Sequence, residues 1–161
     1  MSNPNALTVG AAAPNFSLPA TGGKTLSLAD FRGRKLLIYF YPKDDTPGCT
    51  KQACALSENM SQLGKLSMAV MGVSKDSVAS HEKFAAKFNL QFQLLSDQDS
   101  DMAECYGVWG ERTFMGKKYM GIERSCFLID ETGNIAAVKY GIKPDEQVAW
   151  AQNAATTSKA A

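Results

Sequence analysis

A single α/β domain, with a mixed central sheet flanked by helices on both faces, is the fold class this sequence predicts. Two observations carry it. Apolar strand patterns alternate with helical patterns along most of the chain, which implies parallel strands joined by right-handed crossovers. A hairpin pattern late in the chain then adds antiparallel strands at one side. The length of 161 residues fits one domain over residues 1–161, large enough to bury a core without disulfide staples.

Near the start, residues 15–18 and 25–28 flank Thr21-Gly22-Gly23 and read as an N-terminal β-hairpin. Residues 35–41 are a short apolar and aromatic run suited to a buried central strand, and Pro42 ends it. Thr46-Pro47-Gly48 follows, and the spacing predicts a helix over 49–63. Residues 68–74 form a second buried strand. A helix over 77–89 carries Val78, Phe84, Ala85 and Phe88 on its apolar face. A short strand at 93–96 and a short helix at 99–106 come next. Glycines interrupt residues 107–121, so that stretch reads as a loop. Residues 124–130 and 135–140 form a hairpin around Glu131-Thr132-Gly133-Asn134. Pro144 opens a last helix, and the Ala/Thr/Ser-rich residues 151–161 are expected to fray.

Charge narrows the partners. The net charge is +1 and the positive residues are scattered, which argues against nucleic acid or an anionic membrane surface. The longest apolar run, 36–41, is far too short to span a bilayer. Residues 1–10 lack the pattern of a secretory signal, so a cytoplasmic location is expected. In a reducing compartment the four cysteines are not a disulfide framework. Some are packing residues and some are reactive thiols.

Cys49 stands where a buried strand gives way to a helix. A helix N-terminus offers unpaired N–H groups and partial positive charge. A thiol there ionises more easily, and the thiolate is the nucleophile. Pro47 suits the first turn, Gly48 lets a ligand approach the backbone, and Thr46 supplies a hydroxyl. Ala53, Leu56, Met60 and Leu63 define the buried stripe of this helix. Cys49 falls near its middle, and Cys54 lies about 140° away, toward Lys51, Glu58 and Ser61. Two residues five apart on a helix have Cα atoms about 8.7 Å apart, whereas a disulfide needs less than about 7 Å. The two cannot bond while the helix is intact. If they do bond, its first turn must unwind.

Pro42-x-x-x-Thr46-x-x-Cys49 resembles the active-site motif of the peroxiredoxins, which have a thioredoxin-like fold. The run Pro47-Gly48-Cys49-Thr50-x-x-Ala53-Cys54 is similar to the peroxiredoxin Q, or bacterioferritin comigratory protein, subfamily. So are Gly107-Val108-Trp109-Gly110-Glu111, Gly116-Lys117 and Gly121-Ile122-x-Arg124, followed by Phe127-Leu128-Ile129-Asp130. Matches begin at Gly10-x-x-Ala13-Pro14-x-Phe16 and keep their order over nearly the whole chain.

The resemblance implies a thiol-dependent peroxidase acting on hydroperoxides without metal or cofactor. Cys49 would attack the peroxide O–O bond and become a sulfenic acid. Cys54 would condense with it to a disulfide, which thioredoxin or a similar dithiol would reduce. Thr46 would bond the thiolate and the peroxide, and Arg124 would stabilise the thiolate and polarise the peroxide oxygen. Backbone N–H groups near Gly48 and Cys49 would help, and Pro42 would shield the sulfur from water. An internal resolving cysteine needs no partner chain, so a monomer is expected. Gln52 departs from the Glu common in the family, and Leu56-Ser57-Glu58 from its Phe-Arg-Asp. Both departures are expected to touch helix packing and stability and not the reacting atoms.

Other residues have plainer readings. Cys105 and Cys126 are expected to be packing residues, although Cys126 shares strand parity with Arg124. His81 is the only histidine. Its charged neighbours place it in solvent, which argues against a cysteine–histidine hydrolase. No Cys-x-x-Cys pair exists, which argues against a zinc site and against a dithiol oxidoreductase. Trp109, Phe114 and Tyr119 either line substrate access or simply pack. A non-enzymatic binding protein of the same fold is disfavoured because Thr46 and Arg124 are both present.

Overall fold

Residues 6–65 and 68–157 are described in a computed structural model of the chain, the side chains of Phe114 and Thr157 excepted. The chain opens with a hairpin of β1 (Ser17–Ala20) and β2 (Lys24–Ser27). Its turn needs Gly22 and Gly23, whose φ angles are +82° and +70°, a region that residues with a Cβ rarely enter. A short 3-10 turn over Leu28–Phe31 leads into β3 (Lys35–Phe40), every residue of which is buried.

The helix expected over 49–63 is two helices, α1 (Pro47–Glu58) and α2 (Met60–Lys65). Asn59 divides them. Its side-chain amide donates to the Ala55 carbonyl at 2.8 Å, capping a carbonyl that the next turn would otherwise take. Next come β4 (Met68–Ser74), α3 (Val78–Phe88), β5 (Gln93–Ser96) and α4 (Asp101–Cys105). The Ser77 hydroxyl caps α3 by accepting from Ser80 N–H, and Asn89 ends it in the left-handed conformation.

The stretch expected to be a loop is a second hairpin, β6 (Trp109–Phe114) and β7 (Lys117–Ile122), forming its own two-stranded sheet. Met115 and Gly116, both at positive φ, make the two-residue turn that matches strand twist. The glycines hid this pattern because they weaken the alternation that marks a strand. Then come β8 (Ser125–Ile129), β9 (Ile135–Tyr140) and α5 (Gln147–Thr157). α5 begins three residues after Pro144, which lies in the preceding turn. It also continues through residues 151–157, where fraying was expected. Ala151, Ala154 and Ala155 are buried against the sheet, and alanine is the best helix former. Residues 158–161 of that expected tail lie outside the described residues.

The main sheet has seven strands in the order β2-β1-β5-β4-β3-β8-β9. The β3–β4 and β4–β5 pairs are parallel, and the pairs outside them are antiparallel. This is the mixed sheet of a thioredoxin-like fold. Successive residues of β3 feed opposite faces. Leu36, Ile38 and Phe40 pack with Met102, Ala103 and Tyr106 of the α4 region. Leu37, Tyr39 and Tyr41 pack with α1, α2, α3 and α5. No helix among the described residues is long and apolar enough to cross a membrane.

Two pairings position the site. β3 ends at the C-terminal edge of the parallel strands, so the segment after it emerges there. The antiparallel pairing of β3 with β8 sets Phe40 opposite Ser125 and Tyr39 opposite Cys126. That register brings Arg124, one residue before β8, beside the end of β3.

The packing over the paired strands β3 and β4 is tight at Gly72. A Cβ there would lie 2.7 Å from Tyr39 Cζ and 2.9 Å from Leu94 Cδ2. Gly72→Ala is expected to destabilise the protein by about 1–3 kcal/mol through overpacking. Thermal unfolding followed by circular dichroism checks this, and an unchanged midpoint would refute the packing described.

Candidate active site

The first turn of α1 carries Cys49. Thr46 takes the N-cap position with extended backbone, φ −101° and ψ 155°, and its carbonyl accepts from Thr50 N–H at 2.8 Å. Pro47 follows at the first helical position, where a missing N–H costs nothing. The N–H groups of Gly48 and Cys49 belong to the first turn, which has no intrahelical acceptors for them. Cys49 is only 1% exposed. Pro42 and Pro47 are exposed and Thr46, Gly48 and Thr50 half-buried, so the turn itself reaches the surface. The Thr46 hydroxyl donates to the Lys43 carbonyl at 3.0 Å and makes no capping bond.

Arg124 is the cation at this sulfur. Its Nη1 lies 3.4 Å from Cys49 Sγ. The same nitrogen donates to Gln52 Oε1 at 2.6 Å, and its two N–H bonds serve one acceptor each. Among the described residues Arg124 forms no ion pair with a carboxylate. Gly48 makes room for it: a Cβ at position 48 would stand 3.1 Å from Arg124 Nη2 and 3.6 Å from Pro144 Cγ. The close approach that this glycine permits is by the guanidinium.

Gln52 corrects the sequence reading. It was expected to affect packing only, yet it is fully buried and bonded to the guanidinium that touches Cys49. Its position three residues after Cys49 puts both on one helix face. A polar residue at that spacing, inside an otherwise apolar stripe, was the signal available. Being an amide, Gln52 orients Arg124 without neutralising it. Tyr39 is fully buried in the same core cluster as Cys49. Its hydroxyl is buried without a partner. Burial, and then the nearby Cys49 and Cys126 sulfurs, push its ionisation far above the ordinary phenol value.

The remaining cysteines divide differently from expectation. All four are free thiols. Cys54 lies half-buried on the intact α1, and burial followed by the Glu58 carboxylate pushes its thiol up. Cys126 is buried in β8, and burial raises its thiol well above the ordinary value despite the pull of Arg124, so it is an inert packing residue. Cys105 is exposed, against the expectation of packing. Met102, Ala103 and Tyr106 take the inner face of the short α4, which leaves Cys105 outside. Trp109 packs on the sheet face opposite Cys49 and Tyr119 is exposed, so neither lines access to the sulfur. The Phe114 side chain lies outside the described residues.

His81 is the largest departure. It was expected in solvent and is fully buried. His81, Phe84, Ala85 and Phe88 recur at helical spacing on the inward face of α3, a pattern its charged neighbours concealed. Asp44, Asp76 and His81 set ligand atoms within 4.8 Å of one another. Both imidazole nitrogens are already engaged, by Asp44 Oδ2 and by the Leu95 carbonyl. The group is therefore a hydrogen-bonded cluster.

A buried cysteine at a helix N-terminus, faced by an uncompensated guanidinium on a thioredoxin-like sheet, defines the class of thiol peroxidases. The comparisons agree. The AhpC/TSA family model matches residues 9–138. The putative peroxiredoxin bcp of Coxiella burnetii is 53% identical over 143 residues, covering 89% of this chain and 95% of that protein. Peroxiredoxin Bcp of Escherichia coli K12 is 51% identical over 134 residues, covering 83% and 86%. Among solved structures, the Xanthomonas campestris bacterioferritin comigratory protein superposes with a TM-score of 0.86 at 32% identity, covering 94% of this chain and all of that one. A Xylella fastidiosa PrxQ mutant superposes at 0.85, with 32% identity and coverage of 95% and 96%. The chain belongs to the AhpC/TSA family, as a peroxiredoxin of the Q, or bacterioferritin comigratory protein, subfamily.

Two outcomes are expected from the geometry. Gln52→Glu would set a carboxylate against Arg124 and compete for the charge now directed at sulfur. Alkylation of Cys49 by iodoacetamide at neutral pH should slow about tenfold, in line with a single close charge, and an unchanged rate would contradict the arrangement. For Cys54 the reactive thiolate forms only as pH climbs through a raised pKa. Its alkylation profile in the reduced protein should sit on the alkaline side of a free cysteine, and Glu58→Gln should move it back toward acid.

Proposed function

We propose that the chain reduces hydrogen peroxide and organic hydroperoxides at Cys49, with Cys54 as the resolving thiol and thioredoxin, or a similar dithiol, as the reductant. The observation that carries this reading is the 3.4 Å contact of Arg124 Nη1 with Cys49 Sγ, made by a guanidinium whose other acceptor, Gln52 Oε1, is neutral.

The Cys49 thiolate attacks the terminal peroxide oxygen. The S–O bond forms as the O–O bond breaks, and the leaving alkoxide or hydroxide takes a proton. Sulfur is oxidised by two electrons and the peroxide is reduced by two. Negative charge moves from sulfur to oxygen, and fixed donors stabilise that shift without reorganising. Arg124 and the Gly48 and Cys49 N–H groups are the proposed donors. The Thr46 hydroxyl, donating to the Lys43 carbonyl, retains lone pairs that accept from the peroxide. Pro42 and Pro47 form the proposed rim.

Resolution is an attack by Cys54 on the Cys49 sulfenic acid, releasing water and forming an S–S bond. α1 is continuous from Pro47 to Glu58, so its first turn must unwind for the sulfurs to meet. The reductant then returns both thiols. The Xanthomonas campestris bacterioferritin comigratory protein is described as having alkyl peroxide reduction activity, which supports organic hydroperoxides as substrates here. An internal resolving thiol requires no second chain, and a monomer is the proposed state. The four free thiols suit a reducing compartment, and the cytoplasm is the proposed location.

Stopped-flow mixing of the reduced protein with hydrogen peroxide tests the scheme. Cys49→Ser should abolish oxidation, and a wild-type rate in that variant would overturn the assignment. Arg124→Ala should slow Cys49 oxidation by about 10²–10³-fold, the usual cost of removing one positioned donor. Cys54→Ser should keep the first oxidation but lose turnover with thioredoxin. Mass spectrometry of the oxidised wild type should find an intramolecular Cys49–Cys54 link, and a Cys49–Cys49 bond between chains would refute the resolving role.

A further inference from the structure

We infer that His81 is a positioning residue for the peroxide-reducing site, acting through Asp44 to hold the segment that delivers the chain from β3 to α1. The inference rests on the proposed role of Cys49.

His81 is 0% exposed. Its Nε2 lies 2.8 Å from the Leu95 carbonyl, a group that only accepts, so Nε2 bears a hydrogen. Its Nδ1 lies 2.7 Å from Asp44 Oδ2. Two bare lone pairs would repel at that distance, so a proton lies between Nδ1 and Oδ2. Asp44 collects further donors: the Tyr41 hydroxyl on Oδ1 at 2.5 Å and the Ser80 hydroxyl on Oδ2 at 2.8 Å. Its own N–H donates to Asp76 Oδ2 at 2.8 Å, and the Ser74 hydroxyl donates to that same oxygen at 2.7 Å. Asp44 is thereby tied to the residue after β3, to the segment after β4 and to two positions on α3, and through His81 to β5.

The residues after Asp44 are held far less. Asp45 adopts a left-handed φ of +57°, an uncommon conformation for a residue with a Cβ. Its side-chain contact is a salt bridge to Lys87, and both side chains are about half exposed or more, so it adds little. Thr46 and Pro47 then start α1. The place where α1 begins, and with it the distance from Cys49 Sγ to Arg124, is set from the Asp44 anchor. Asp45 is the pivot between the anchored residue and the turn that must unwind.

This predicts a split between two chemical steps. Oxidation of Cys49 needs the loop held. Disulfide formation needs the turn beyond the pivot released. Loosening the anchor should slow the first step without slowing the second, whereas damage to the fold alone would lower the melting temperature and leave the first step unchanged well below it. His81→Gln removes one of the two donors. Asp44→Ala/His81→Leu removes both buried polar partners together, so neither is left unsatisfied while the anchor is lost.

The experiment is single-turnover stopped-flow of each reduced variant with hydrogen peroxide, with both verified as folded by circular dichroism. The sulfenic acid is trapped by dimedone and the disulfide is followed by mass spectrometry of quenched samples. The expected result is Cys49 oxidation slowed about tenfold or more in both variants, within the range that small misplacement of reacting groups produces, and disulfide formation as fast as wild type or faster. A folded double variant that oxidises Cys49 at the wild-type rate would overturn the inference, as would equal slowing of both steps. Absence of Cys49-dependent oxidation in the wild type would instead count against the peroxidase reading.

Discussion

The contact between the Arg124 guanidinium and the Cys49 sulfur is the interaction on which the rest of this structure depends. A buried thiolate without a compensating cation would be strongly disfavoured, and the half-buried Arg124 places that cation beside Cys49. The arrangement needs several supports: Gly48 to leave space for Nη2, Gln52 to orient Nη1, and the β3–β8 register to bring the two chain segments together. The neutrality of Gln52 matters as much as its reach. A carboxylate there, the residue common in the family, would hold the arginine more firmly and share its charge with the sulfur.

A second constraint opposes the first. α1 is intact where Cys49 meets Arg124, and the proposed disulfide with Cys54 requires its first turn to come apart. The start of the helix is lightly held at its backbone, while two apolar residues further along anchor it in the core. Ala53 and Leu56 are fully buried, whereas Thr46 makes no capping bond and Pro47 is exposed. Local opening is cheapest where few apolar contacts and exposed backbone coincide. Raising the Cys54 thiol above its ordinary value keeps the proposed resolving sulfur less reactive while the helix is closed.

The buried polar cluster around Asp44 lies just before the turn that the proposed disulfide would unwind. Polar groups in a core are costly unless every one is satisfied, and here Asp44, Asp76, His81, Ser74, Ser80 and Tyr41 all find partners. Apolar packing would join α3 to the sheet equally well. It would not define the direction in which the chain leaves β3, because hydrophobic contact is non-directional.

Much of the fold and half of the site were legible in the residues. β3 and β4 stand out as unbroken apolar runs because both of their faces are covered. Thr46-Pro47-Gly48-Cys49 marks a helix start that exposes N–H groups to a thiol, and that local chemistry survives in any tertiary setting. The β6–β7 hairpin was hidden by its glycines, and the break at Asn59 by a side-chain bond that periodicity does not register. The burial of His81 was written in its spacing with Phe84 and Phe88 but masked by charged neighbours. The residues alone pointed to the proposed nucleophile and fixed its place at a helix end and the alternating elements around it, because these rest on neighbours in the chain. Tertiary structure alone decided that Gln52 holds Arg124, that Cys126 is sealed and Cys105 exposed, and that His81 reaches Asp44 across 37 residues. Those contacts join segments distant in sequence, and only the register of the sheet and the docking of α3 bring them within reach.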